Sequence, residues 1–113
     1  MKKKEIRLRC WIDIDGVRFF GPGRAELLEY IETTGSISKA AKEMGMSYKK
    51  AWAMIDDINS RASKPYVILQ KGGQKGGGAE LTEPGKKAVA SYKKLTTKLY
   101  NIIDKETELL KHL

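Results

Sequence analysis

The sequence predicts an α+β fold that is mostly helical, with an N-terminal β-hairpin and a long C-terminal helix. Three observations predict it. Apolar residues alternate strictly over residues 6–14, recur at helical spacing from Arg24 onward, and step by four and three residues through the last third of the chain. A length of 113 residues fits a single domain, since domains mostly hold about 100–150 residues. We divide this domain, 1–113, into a hairpin (1–21), helices (22–64), two strands around a glycine-rich loop (65–81) and a last helix (82–113).

The composition favours a small basic binding protein over an enzyme. Lys and Arg number 22 against 14 Asp and Glu, which gives a net charge of +8. The single Cys and single His exclude an internal disulfide framework and a multi-cysteine metal site, so we expect no cofactor and no metal. No apolar run approaches the roughly 20 residues that span a bilayer, and no export signal begins the chain. We therefore expect a cytoplasmic protein with no membrane partner.

A β-hairpin is predicted at the start of the chain. Five apolar residues occupy alternate positions, which is the period of a half-buried strand: Ile6, Leu8, Cys10, Ile12 and Ile14. Asp15-Gly16 then predicts a tight two-residue turn, and Val17–Phe20 returns as the second strand. We expect Cys10 to be a small core residue rather than a nucleophile.

Two short helices are predicted next, joined by a turn. Pro22 begins the first and Gly35 ends it, as helix boundaries prefer. Either Ser36 or Ser38 can cap the second, which ends at Gly45. The apolar faces of the two helices are Leu27, Leu28 and Ile31, then Ile37, Ala40, Ala41 and Met44.

A third helix, capped by Ser47, completes a helix-turn-helix pattern. We expect Trp52 in the core and Lys49 and Lys50 on the outward face. Tyr48 shares a face with Trp52, so it either contacts DNA or packs against its neighbour. Helix pairs joined by a glycine turn also occur in proteins that never touch DNA, so the motif alone leaves DNA binding and other functions open.

Two short strands around a basic glycine-rich loop are predicted after the helices. Val67–Lys71 and Ala79–Leu81 flank residues 72–78. They predict the wing of a winged helix-turn-helix, whose lysines Lys71 and Lys75 contact phosphates or a minor groove. A nucleotide phosphate loop does not fit, because no Gly-Lys-Ser/Thr ends the glycines and no helix directly follows them. A passive hairpin remains the alternative.

The last element is predicted as one long helix with Thr82 as its N-cap. Its residues follow the 4-3 spacing of a coiled-coil seam, with one polar position: Ala88, Tyr92, Leu95, Leu99, Ile102, Glu106, Leu109 and Leu113. A helix of about 30 residues would be on the order of 45 Å long, more than a small domain covers. We expect a homodimer through Tyr92, Leu95, Leu99, Ile102 and Leu109. The alternative is that its first half packs on its own domain while its end frays.

Two stretches of the chain resemble the molybdate-responsive ModE regulators, relatives of the LysR-type winged-helix proteins. GSISKAAKEMGMSYKKAW (35–52) resembles their helix-turn-helix, and GGQKGGGAELT (72–82) followed by Pro84-Gly85 resembles their wing. With the hairpin and last helix, the resemblance covers nearly the whole chain. It implies a homodimeric transcriptional regulator that binds double-stranded DNA. The DNA-contacting residues it implies are Ser47, Tyr48, Lys49, Lys50, Lys71, Gly73, Lys75 and Gly76. We add Ser36, Ser38 and Lys39, at the start of the preceding helix, as further candidate DNA contacts.

One departure from that family concerns its ligand. Family members that sense molybdate carry further C-terminal domains for the oxyanion, whereas this sequence ends at Leu113. We therefore expect no molybdate binding by this chain, although the resemblance implies control of molybdenum-related genes. The alternative functions are a winged-helix protein-interaction module and sequence-independent architectural DNA binding. DNA binding should weaken steeply with added salt, whereas an apolar protein interface should not.

Overall fold

The computed structural model describes residues 2–70 and 78–113, and it confirms the predicted mixed fold with an N-terminal hairpin and a long helix near the C-terminus. The elements up to α4 follow in the predicted order, and a short α5 comes after them: β1 (Ile12–Ile14), β2 (Val17–Phe20), α1 (Pro22–Thr34), α2 (Ile37–Glu43), α3 (Tyr48–Arg61), β3 (Val67–Gln70), β4 (Gly78–Leu81), α4 (Glu83–Asp104) and α5 (Glu108–Lys111).

The first hairpin turns at Asp15 and Gly16, as predicted. Both have positive φ angles, 52° and 77°, which is the backbone of a tight turn that matches the twist of the two strands. The register then shifts near the end of β2, leaving Phe19 as an extra residue. In a regular strand Phe19 and Phe20 would point to opposite faces, whereas the irregularity allows both to be buried.

The first strand is shorter than predicted. The alternation over residues 6–14 predicted one strand, but only Ile12–Ile14 pair with β2. The reason is the length of the partner, because β2 has four residues and Pro22 then begins α1 without a backbone N–H to donate. No partner strand is left for the preceding residues.

Within residues 2–11, here called the N-terminal arm, Leu8 and Cys10 bind α4 instead. The hydroxyl of Tyr92 donates to the carbonyl oxygen of Cys10 at 2.7 Å, and that of Tyr100 donates to the carbonyl oxygen of Leu8 at 2.6 Å. Leu8 and Cys10 are half-buried while Arg7 and Arg9 are exposed. The alternating pattern is therefore present, but a helix rather than a strand covers its apolar side.

The core lies between the three short helices and the two hairpins. Its largest fully buried side chains come from α1 and α3, namely Leu27, Leu28, Ile31, Ile55 and Ile58. Gly35 ends α1 with a φ of 70°, as predicted for a helix terminus. Its carbonyl oxygen accepts a hydrogen bond from the N–H of Ala79 at 2.9 Å. This bond ties β4 to the end of α1.

The predicted last helix is two helices. α4 ends at Asp104, and α5 begins at Glu108 after a three-residue break. Glu106, predicted as the polar position of a continuous seam, instead accepts a hydrogen bond from the N–H of Leu109 at 3.1 Å. A side chain that satisfies a free N–H at a helix start favours a new helix over continuation of the old one.

Tyr92 is also placed differently from its prediction. It was expected at a dimer interface, but it is 8% exposed, and its ring meets that of Phe20 edge to face at 5.4 Å. A side chain that fills its own domain's core has little surface left for a partner. None of the helices in the described ranges is long and apolar enough to cross a membrane.

Candidate nucleic-acid interface

The turn between α2 and α3 is the tight glycine turn that the sequence predicted. Gly45 has a φ of 66°, and the N–H of Met46 donates to the carbonyl oxygen of Ala41 at 3.0 Å. This bond, which spans six residues around a left-handed glycine, is the pattern that commonly closes a helix. It sets the direction in which α3 leaves α2.

Serine side chains cap both helices of the pair. Ser36 Oγ accepts from the N–H of Lys39, and Ser47 Oγ accepts from the N–H of Lys50, each at 3.1 Å. Ser36 rather than Ser38 is therefore the N-cap of α2, while Ser38 lies exposed within the helix. Helix starts carry partial positive charge and unpaired backbone N–H groups, so α3 offers a phosphate-binding end toward solvent.

The two sides of α3 differ sharply. Ala51, Ile55 and Ile58 are buried in the core, whereas Lys49 and Lys50 are exposed as predicted. Tyr48 is 51% exposed. The sequence left open whether Tyr48 contacts DNA or packs against Trp52. Because the ring is exposed at the start of the helix, the structure favours a surface contact.

Trp52 was predicted as a core residue, and this is wrong. Its side chain is half-buried and lies outside the buried core cluster. Each residue of a helix is rotated by about 100° from the one before it. The buried face of α3 is centred between Ala51 and Ile55, so Trp52 lies at the edge of that face. The large side chain therefore contributes to the surface of α3.

The far end of α3 is attached to α1 by an ion pair between Arg24 and Asp57, and a second pair joins Asp57 to Arg61 within α3. Neither pair was predicted from the sequence. Asp57 Oδ2 accepts from Arg24 at 2.6 Å and from Arg61 at 3.1 Å. The hydrogen bond from Arg24 has the largest effect and lowers the pKa of Asp57. Burial opposes it with the next largest effect, and the hydrogen bond from Arg61 lowers the pKa further, so that the net shift is downward. Asp57 is thus held ionised between two guanidinium groups.

Arg61 also fixes α3 to the first hairpin. Its guanidinium donates to the carbonyl oxygen of Arg18 at 2.7 Å and to that of Val17 at 2.9 Å. These contacts join residues more than forty positions apart. The spacing of residues along the sequence therefore could not predict them. Arg61 therefore orients α3, and its charge is engaged within the domain.

Asn59 connects α3 to the second hairpin. Its Oδ1 accepts from the N–H groups of Tyr66 and Val67 at 2.8 and 3.1 Å, and its Nδ2 donates to the carbonyl oxygen of Val67 at 2.9 Å. Asn is a weak helix former, so its presence within α3 was the one sequence signal of this contact. It places β3 beside α3.

The second hairpin pairs as a regular antiparallel ladder, from Val67 opposite Leu81 to Gln70 opposite Gly78. The four predicted wing contacts, Lys71, Gly73, Lys75 and Gly76, lie outside the described residues. Among the described residues, the exposed lysines of α2 and α3 are Lys39, Lys42, Lys49 and Lys50. Both helices of the pair thus contribute exposed cations to the surface.

Comparison with known proteins identifies relatives along most of the chain. No protein-family model matches it. The molybdenum transport protein ModE of Azotobacter vinelandii is 40% identical over 102 residues, 90% of this chain. The DNA-binding transcriptional dual regulator ModE of Escherichia coli K12 is 42% identical over 74 residues, 66% of this chain. The transcriptional regulator ModE of Haemophilus influenzae is 33% identical over all 113 residues.

These relatives are considerably longer than the chain. The matched region spans 38% of the Azotobacter protein, 28% of the Escherichia protein and 40% of the Haemophilus protein. The latter two are named as regulators of transcription and not as enzymes. Over most of its length this chain is a homologue of the ModE transcriptional regulators, and it is consistent with the N-terminal DNA-binding domain of that family.

Proposed function

We propose that the chain is a sequence-specific, DNA-binding regulator of transcription that acts as a homodimer on a palindromic operator. The observation that carries this proposal is the exposed start of α3. There Tyr48, Lys49 and Lys50 project from a helix that is capped by Ser47 and held against both hairpins. This is the arrangement by which a helix-turn-helix inserts its second helix into the major groove.

The proposed contacts are of two kinds, those to DNA phosphates and those to base edges. The start of α3 holds a phosphate through Ser47 and the backbone N–H groups, while Lys49 or Lys50 donates to guanine acceptors in the groove. Tyr48 contacts a phosphate or a thymine methyl group. Ser36, Ser38 and Lys39 at the start of α2, together with the wing residues Lys71, Gly73, Lys75 and Gly76, contact the DNA backbone beside it.

Dimerisation is supported by the apolar side chains that the domain leaves uncovered. On α4, Leu95 is 42% and Ile102 is 68% exposed, and Leu109 on α5 is 53% exposed. Leu99, also on α4, is half-buried. Burial of these residues against the same helix of a second copy gives a two-fold dimer, whose two α3 helices suit half-sites about one helical turn apart, or a multiple of one turn.

The names of the relatives support a proposal about the target genes, because they mention molybdenum transport and regulation of transcription. We propose genes of molybdenum use as the targets, with the protein acting in the cytoplasm, where it meets the chromosome. That residues 1–113 do not bind molybdate themselves stays a prediction. Titration of the chain with molybdate in a calorimeter checks it.

The test is selection of bound duplexes from a random DNA pool at about physiological salt. We expect enrichment of one inverted repeat. Replacing Lys49 and Lys50 together with Ala should then lower affinity for that repeat on the order of tenfold or more, because base-edge contacts are lost. The control is Lys86→Ala with Lys87→Ala, two exposed neighbours on α4, which removes the same charge.

Other outcomes would contradict the proposal in different ways. Equal losses in the two double variants would show that α3 does not supply the base contacts. Binding without an enriched sequence would favour architectural DNA binding. Absence of DNA binding would favour a protein-interaction module that uses the apolar side of α4.

A further inference from the structure

The outward side of α3 carries a carboxylate among its lysines. Asp56 is exposed, whereas the adjacent Asp57 is bound by Arg24 and Arg61. In the described residues, Asp56 takes part in no side-chain hydrogen bond or ion pair. An exposed carboxylate is unfavourable on a surface that approaches phosphates, unless it accepts hydrogen bonds from the DNA.

Asp56 lies on the same side of α3 as Lys49 and Ala53, because positions i, i+4 and i+7 share one helix face. All three are exposed. A rise of 1.5 Å per residue places Asp56 about 10 Å further along the axis than Lys49. This distance corresponds to about three base-pair steps of 3.4 Å, so the two side chains face different base pairs of one half-site.

The surface beside Asp56 is recessed and open to solvent. Trp52, Ala53 and Asp56 line an open depression of about 350 Å³ on the exposed part of α3. The depression exists because Ala53 ends at Cβ between two longer side chains. A small methyl at this position allows α3 to approach the floor of a groove, and it suits contact with a thymine methyl group.

Because the carboxylate of Asp56 can only accept hydrogen bonds, it can pair only with a base that donates one. In the major groove, only the cytosine N4 and adenine N6 amino groups donate hydrogen bonds. Adenine also presents N7, an acceptor that repels a carboxylate, so cytosine is the better partner. We propose that Asp56 is a specificity-determining residue, which accepts a hydrogen bond from the N4 amino group of one cytosine in each half-site.

This inference rests on the proposed function, and its test extends the same experiment. The duplex selection is repeated with Asp56→Asn and Asp56→Ala. The Asn side chain accepts from adenine N6 and donates to adenine N7, so D56N should exchange a cytosine for an adenine at one position of each half-site. D56A should lose the preference at that position, with the discrimination against the other bases falling on the order of tenfold.

The control is Asp13→Asn on β1, which removes one exposed negative charge away from α3. It should leave the enriched motif unchanged, as should any variant that alters only the total charge. A wild-type motif that D56N and D56A both leave unchanged would overturn this inference and leave the proposed function intact. Failure of the wild-type chain to enrich any motif would overturn both.

Discussion

At the scale of single residues, one glycine shows how closely the last helix approaches the rest of the domain. Gly85 lies in the first turn of α4, buried against the backbone of Tyr66, and a Cβ there would collide with the Tyr66 carbonyl group. The side chain of Thr82 caps the same turn by accepting from the N–H of Gly85 at 3.1 Å. The start of α4 is therefore held by local capping and by the absence of a side chain.

This contact predicts opposite effects for two Gly→Ala substitutions. Gly85→Ala should lower the free energy of unfolding by about 1–3 kcal/mol, because the new methyl forces α4 away from Tyr66. Gly23, in the first turn of α1, has open space at its Cβ position, so Gly23→Ala should raise the free energy by about 0.5–1 kcal/mol. Urea denaturation measures both. Equal effects would contradict the close approach at Gly85.

At the scale of elements, α3 is positioned from both sides. Asp57 and Arg61 connect it to α1 and the first hairpin, and Asn59 connects it to the second hairpin. These contacts all lie in the second half of the helix, while the candidate DNA-binding residues lie mostly in the first half. The second half of α3 is thus fixed to the rest of the domain, while its first half extends toward solvent.

The lowered pKa of Asp57 predicts how this anchor depends on pH. A carboxyl whose pKa is lower in the folded chain than its ordinary value of 3.8 stabilises the fold fully above that value. The contribution disappears as the pH falls through the lowered folded-state pKa. Asp57→Asn should therefore cost more stability at pH 7 than at pH 3, by urea denaturation at both pH values.

The matched control for this measurement is Asp56→Asn, one residue earlier on the same helix and exposed. Its effect on stability should be small, because Asp56 takes part in no ion pair among the described residues. An Asp57→Asn effect of equal size at both pH values would mean that the ion pairs with Arg24 and Arg61 contribute nothing to folding.

At the scale of the whole molecule, the chain is elongated, with dimensions of 59 × 33 × 21 Å. α4 has 22 residues, so it is about 33 Å long, and its buried residues Gly85, Val89 and Tyr92 lie in its first half. Further along, the N-terminal arm covers one side through Tyr100, while Leu95 and Ile102 remain exposed. The uncovered side of the helix is the surface that dimerisation would bury.

This division predicts which substitutions affect assembly. Leu95→Glu with Ile102→Glu should convert a dimer to a monomer with little loss of monomer stability, because charges would replace apolar side chains at the proposed interface. Affinity for an inverted repeat should fall too, since the half-sites would no longer be bound together. Analytical ultracentrifugation and DNA titration measure the two effects.

The control for assembly is Val17→Glu, which changes another exposed apolar residue on β2. This variant should stay dimeric. A dimer that persists in the Leu95 and Ile102 double variant would place the interface elsewhere, and a wild-type chain that is monomeric would contradict the homodimer itself.

The amino-acid sequence by itself determined the features that depend on near neighbours. The turn at Asp15-Gly16, the caps at Ser47 and Thr82, and the left-handed glycine at Gly45 each satisfy backbone groups within a few residues. Short-range hydrogen bonds and steric limits are the same wherever such a segment occurs. The order of elements, and hence the mixed fold, could therefore be predicted correctly.

Only the tertiary structure decided which apolar and charged residues find partners inside the domain. Tyr92 and Leu95 belong to one 4-3 pattern, yet Tyr92 is buried against Phe20 of the first hairpin while Leu95 is exposed. Asp56 and Asp57 are adjacent and chemically identical, yet only Asp57 meets Arg24, 33 residues away. Periodicity defines the side of a helix that faces inward, but contacts between distant segments determine how far that side is covered and which surface remains for a partner.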